Sequence, residues 1–271
     1  MEAIAGAATL SPGGDSTNQD RVAVYRAADG LGGAGVVVCD GVGSYAGSGA
    51  VAAEVAATAS EHLAKQAVGP GFWSLSEVVT AGPLEAAGGA TTLIAVGADQ
   101  TGLAGHAFVG NGSLIELVPY KPRAGVLRLR WADLALPQIS WDDGRPALRS
   151  FLPAPPDDFE TVLGFRAAAG RPRPRMYLAC TDGIATDEER PGAQSPNGTY
   201  WKEVPRALVR VIEDLERQWP ALLAKEEELA TEALGALLER SLATLLDDGV
   251  LDDDASVACV LLRPRRDGGS W

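Results

Sequence analysis

The stretch Val36–Glu54, VVVCDGVGSYAGSGAVAAE, constrains the fold more than any other part of the chain. The apolar run Val36–Cys39 reads as a buried strand, and Asp40-Gly41 ends it abruptly. Gly43, Gly47 and Gly49 punctuate the turn that follows and let backbone approach a ligand. The Ala- and Val-rich run beyond reads as a helix that docks closely on a sheet. A carboxylate at the end of a buried strand, beside such a turn, suits a cation. The pattern recurs in MYLACTDG, with Asp182-Gly183, and in mirror form in LDDDASVACVLL, where Asp253-Asp254 enters a strand. These three places are expected to meet.

The rest of the chain is read in order. Strands are expected over Ile4–Leu10, within Asn18–Arg26, and over Ala90–Ala98, Val126–Leu136, Met176–Cys180 and Ala255–Leu262. A further one, Gly102–Val118, is expected to split at the Asn-Gly hairpin signal of Gly110-Asn111-Gly112. Helices are expected over Gly47–Val68, ended by Gly69-Pro70-Gly71, and over Trp73–Ala87. Two amphipathic helices, Tyr200–Trp219 and Leu222–Leu246, are expected either side of Pro220. Strands come in runs and helices in pairs, which predicts an α+β fold with antiparallel sheets and helices outside. One domain over 1–271 is expected, with 137–160 a loop or flap and 263–271 a polar tail.

Charge and cysteine usage exclude several classes. A formal net charge of −13 argues against a nucleic-acid partner or an anionic membrane surface, and no apolar run is long enough to span a bilayer. Cys39, Cys180 and Cys259 each sit in an apolar strand and read as buried reduced thiols. With no basic segment leading an apolar stretch at the N-terminus, the expected location is cytoplasmic. His62 reads as a solvated helix residue and His106 as a packed strand residue. Trp131, Trp141, Trp201 and Trp219 read as core or cap residues. The RPRPR cluster at 171–175 reads as a solvated loop, and Leu229, Leu234, Leu237, Leu238 and Leu245 as a core stripe.

Asp20, Asp40, Asp182 and Asp253 all fall at strand ends. Oxygen ligands without companion His or Cys suit hard divalent ions such as Mg²⁺ or Mn²⁺. Two such ions sharing a carboxylate are one arrangement for hydrolysing phosphate esters. A strand ending in Asp-Gly is more often a plain turn, so the weight lies in the order and company of the set.

That ordered set resembles the PPM family, the metal-dependent protein phosphatases of type 2C. NQDRV is similar to its first acidic motif, the Val36–Glu54 stretch to its second, and GGATTLIAVGA to its G-[ST]-T-A strand. AFVGNGSLIEL stands where the family has V-G-D-S-R. TVLGF, LACTDGIATD and LDDDASVACVLL resemble its three later motifs, in order, over nearly the whole chain. The resemblance implies an αββα sandwich holding two Mn²⁺ or Mg²⁺ ions, and hydrolysis of Ser/Thr phosphoproteins by a hydroxide bridging the two ions. By position, Asp40 would bridge the ions, the Gly41 carbonyl would bind one, and Asp182 and Asp253 would complete a coordination sphere. Asp20 would help the second ion or its waters. The chain departs from the pattern. Asp15 stands where many members carry a phosphate-clamping Arg, Gln19 where Glu is frequent, Val42 where some have His, and Asn111 and Ser113 in place of the Asp and Arg of V-G-D-S-R. A third metal site is therefore expected to be weak or absent. Two readings stay open: an active phosphatase that holds phosphate by the metals alone or with Arg21 or Arg26, or a pseudophosphatase that recognises a phosphoprotein or signalling partner. Oligomeric state and substrate identity are not specified.

Overall fold

The computed structural model describes residues 1–13, 18–28, 33–80, 88–121, 127–135, 138–142, 145–153, 160–164, 173–185 and 205–265. In chain order the elements are β1 (Glu2–Leu10), β2 (Arg21–Arg26), β3 (Gly33–Cys39), α1 (Ser48–Ala64), α2 (Val68–Trp73), α3 (Leu75–Thr80), β4 (Leu93–Asp99), β5 (Ala104–Val109), β6 (Ser113–Tyr120), β7 (Arg128–Ala135), β8 (Ile139–Asp142), β9 (Arg145–Leu148), β10 (Glu160–Gly164), β11 (Arg175–Cys180), α4 (Asp182–Ala185), α5 (Arg206–Ala224), α6 (Glu227–Asp247) and β12 (Ala255–Arg263). Two five-stranded antiparallel sheets result, in the orders β1-β12-β11-β6-β7 and β10-β5-β4-β3-β2, with β8-β9 as a separate hairpin.

Both faces of the central strands are buried, which is why they read as continuous apolar runs. On β3, Val36 and Val38 point between the sheets, while Val37 and Cys39 point toward α1. On β12, Ala258, Val260 and Leu262 point between the sheets, while Val257, Cys259 and Leu261 meet α5 and α6. The alternation gives three apolar layers between four layers of structure: α5–α6, sheet, sheet, α1–α3. Among the described residues no helix is long and apolar enough to cross a membrane.

Several local expectations are corrected. Gly69-Pro70-Gly71 does not stop α1, which ends at Ala64; these residues lie inside α2, where a proline in the first turn lacks an N–H that had no intrahelical partner anyway. Pro220 does not separate two helices, because α5 runs through it to Ala224 and buries Trp219 and Leu222 on either side. The Asn-Gly signal does not make a hairpin. β5 is already paired on both edges, by β4 and β10, so the chain crosses at Gly110–Gly112 into the other sheet, where β6 pairs with β11 and β7. Gly110 takes a φ of +127 at that crossover, which a side-chain-bearing residue rarely adopts. The 137–160 stretch contains the β8–β9 hairpin. Arg263 is not tail: it is the last residue of β12, buried, with Nε on Glu2 at 2.5 Å and a bond to the Leu222 carbonyl at 2.6 Å. Leu229 is 53% exposed, five residues from Leu234 and on the far side of α6 from the buried stripe. Trp131 is 43% exposed on the edge strand β7, while Trp219 is core. His62 is docked, not solvated: its Nε2 lies 2.9 Å from Ser74 Oγ. All three cysteines are buried and free. Trp201, Arg171 and the end of the expected Trp73–Ala87 helix lie outside the described residues.

Candidate functional site

Antiparallel pairing brings the motif-bearing strand ends to one rim of the sandwich. Cys39 at the end of β3 lies opposite Arg21 at the start of β2. Cys180 at the end of β11 lies opposite Val257 near the start of β12, and opposite Ser113 at the start of β6. Leu10 at the end of β1 lies opposite Ala255. Asp20, Asp40, Asp182, Asp253 and the Gly110–Gly112 crossover therefore share that rim. Gly183 completes the approach, since a Cβ there would overlap the Asp254 carbonyl.

A cleft of about 470 Å³ opens at this rim. Asp40, Gly41, Asp182 and Asp253 line it, as do Gln19, Asn111, Asp252 and Asp254, with Ser11, Pro12, Gly13, Val42, Gly43 and Leu148. Asp20 does not line it. Asp20 is 1% exposed and sits beneath the cleft, where its Oδ2 accepts the Thr181 hydroxyl at 2.9 Å and its backbone N–H donates to Asn18 Oδ1 at 2.8 Å. Thr181 Oγ1 in turn accepts the Ser256 N–H at 2.9 Å, so Asp20 ties together the segments that carry Asp182 and Asp253. Arg26 is spent elsewhere, in an ion pair with Glu227 at 2.6 Å. Arg21 donates to the Asn18 and Asp20 carbonyls and does not line the cleft. Among the described residues no Lys or Arg does. Asp15 lies outside them.

The loop carrying Asp40 is held by two threonines. Thr92 Oγ1 accepts the Asp40 N–H at 3.1 Å, Thr92 N–H donates to the Asp40 carbonyl at 2.8 Å, and Thr91 Oγ1 donates to the same carbonyl at 2.8 Å. Asn111 Nδ2 donates to Asp182 Oδ2 at 2.6 Å, and Asp254 Oδ2 accepts the Gln19 N–H at 2.6 Å. The sequence carried Thr91 and Thr92 inside a motif but gave no sign of their partners. The run Asp252-Asp253-Asp254 was visible, yet sequence alone could not divide its labour.

Crowded acids shape the electrostatics. Burial first, then the charges of Asp182 and Asp20, push the Asp40 carboxyl well above its ordinary range. Burial lifts Asp20 to about 7 against the opposing hydrogen bonds of Thr181 and Ser256. Burial and the charges of Asp182, Asp254 and Asp252 raise Asp253. Among the described residues no three His, Cys, Asp or Glu side chains are arranged as a ready metal cage. The donor chemistry nevertheless fits a hard cation. The donors are all oxygens, burial and neighbouring charge make Asp20, Asp40 and Asp253 hold protons more tightly, and Asp20 Oδ1, Gln19 Oε1 and Asn111 Oδ1 are buried without hydrogen-bond partners.

No protein-family profile matches the sequence, and no curated protein matches it. The structure does match solved ones. The PPM Ser-Thr phosphatase MsPP from Mycobacterium smegmatis, in complex with cacodylate, aligns over 94% of this chain and 97% of its own, with TM-score 0.58 and 17% identity. The serine/threonine phosphatase of S. agalactiae aligns over 95% and 98%, with TM-score 0.57 and 14% identity. RsbX in complex with magnesium aligns over 96% of each chain, with TM-score 0.51 and 13% identity. The fold is that of the PPM phosphatases, over nearly the full chain.

Proposed function

We propose that the chain is a metal-dependent phosphatase of Ser/Thr phosphoproteins. The observation that carries this reading is the meeting of Asp40, Asp182 and Asp253 in one cleft at the sandwich rim. Two divalent ions, Mn²⁺ or Mg²⁺, would supply the positive charge and Lewis acidity that phosphomonoester hydrolysis needs. Asp40 with the Gly41 carbonyl, Asp182 and Asp253 would hold them. Asp20 acts from below, through Thr181, to fix the Asp182 segment. Thr91 and Thr92 hold the Asp40 backbone in place, and Asn111 orients Asp182. The buried thiols suit a reducing, cytoplasmic setting.

A second reading has its own support. With no cation lining the cleft among the described residues, phosphate lacks a bidentate protein partner, as a pseudophosphatase or phosphoprotein-binding module would show. Hydrolysis of a small aryl phosphate with Mn²⁺ separates the two. Turnover that Asp182→Asn abolishes supports the enzyme, whereas tight Mn²⁺ binding without turnover sinks it and leaves the second reading.

A further inference from the structure

The cleft lining divides by chemistry. Its acidic set is Asp40, Asp182, Asp252, Asp253 and Asp254, and its apolar set includes Val42 and Leu148. The apolar portion continues past the lining. Tyr45, three residues after Val42, meets Phe151, three residues after Leu148, with ring centroids 5.8 Å apart and planes inclined at 44°. The pair joins the two lining segments into one surface. Tyr45 is still 43% exposed, so much of its ring stays open beside the cleft.

This surface is fixed to the acidic centre at two points. Leu152 N–H donates to the Thr91 carbonyl at 2.7 Å, and Thr91 N–H returns a bond to the Leu152 carbonyl at 2.9 Å. Thr91 also holds the Asp40 carbonyl. At the other end Gln138 N–H donates to the Gly110 carbonyl at 2.7 Å, its Oε1 accepts the Gly110 N–H at 2.9 Å, and Arg149 N–H bonds the Gln138 carbonyl at 2.8 Å. Gly110 precedes Asn111, which holds Asp182. The Leu148–Phe151 side of the wall is thus tied to the backbone that holds Asp40 and Asp182.

We infer that this wall of Val42, Tyr45, Leu148 and Phe151 seats the side chain two residues from the phosphorylated one, and that the chain selects phosphopeptides with an aromatic or leucine residue there. The inference rests on the phosphatase reading for the phosphate's position. Val42 follows Asp40 by two positions, and on an extended peptide side chains two residues apart share a face and lie about 7 Å from one another. An acid at that position would find no cation among the described lining, whereas an apolar side chain there removes exposed apolar surface from water.

Two phosphoserine peptides that differ only in leucine or alanine at the positions two residues either side of the phosphoserine test this, together with hydrolysis-resistant phosphonate versions. Binding of the phosphonates to Mn²⁺-loaded protein is read by fluorescence anisotropy, and kcat/KM is measured on the phosphopeptides. The leucine peptide is expected to bind about tenfold better. Tyr45→Ala should bring that ratio to about one or two, and Tyr45→Leu should keep most of it. Equal binding of the two peptides, or an unchanged ratio in Tyr45→Ala, overturns the inference even if both are hydrolysed. A Tyr45-dependent preference without any hydrolysis sustains the wall and removes the turnover reading instead.

Discussion

Asn111 shows how much one side chain decides. Its amide donates to Asp182 at 2.6 Å, and an amide brings no charge with it. Asn111→Ala should weaken Mn²⁺ binding about 10–100-fold, as removal of a partner behind a metal-binding carboxylate does, with little loss of stability. Isothermal titration and a melting curve check both halves. Asp20 and His106 should leave opposite marks on stability against pH. Asp20 is lifted to about 7, so the metal-free fold binds a proton that the unfolded chain has already lost. That contribution is full below an unfolded value near 3.8 and disappears as pH rises to about 7, a loss on the order of a few kcal/mol. His106 is pushed down to about 4 by burial, and its Nε2 has no partner. Its contribution is full above about 6.5 and disappears as pH falls toward 4. Melting of metal-free protein from pH 4 to 8 should therefore show a smaller alkaline-side decline in Asp20→Asn, the part owed to Asp40 and Asp253 remaining, and a smaller acid-side decline in His106→Leu. Unchanged profiles in both variants would refute the assignment.

At the scale of elements, pairing overrode local signals. An Asn-Gly turn between apolar runs normally closes a hairpin, but β5 had no free edge left for β6. Pro220 sits inside α5 because Trp219 and Leu222, on either side of it, are both buried. Trp219 is 1% exposed in the layer between α5–α6 and their sheet. Trp219→Ala should cost about 3–5 kcal/mol by removing the largest side chain of that layer. Denaturant unfolding measures it, and a loss below about 1 kcal/mol would show that the layer closes over the gap.

For the molecule as a whole, charge is the governing quantity. The formal net charge is −13, and five aspartates line one cleft. Divalent ions that bind there stabilise the fold by mass action, about 2.7 kcal/mol for a site at a hundred times its Kd. Mn²⁺ should raise the melting temperature, EDTA should reverse the rise, and Asp182→Asn should remove most of it. Monovalent salt at matched ionic strength is the control; an equal rise with it would mean that only general charge screening is at work.

The sequence by itself determined the buried strands, the outer helices and the three aspartate-bearing ends. Each of these is written in contiguous residues: apolar runs covered on both faces, and carboxylates where the runs stop. It also placed Asp40, Asp182 and Asp253 as partners, through their order along the chain. Which acids reach the cleft was decided only by tertiary structure. Asp20 looked equivalent to the others, yet the approach of the two sheets put it under the cleft, on Thr181, while its neighbour Gln19 took the lining position. Arg26 looked available for phosphate until α6 brought Glu227 to it from two hundred residues away. Such choices depend on which strand ends share a rim and how closely backbones approach there. Register and close approach are properties of the packed chain, and no local stretch encodes them.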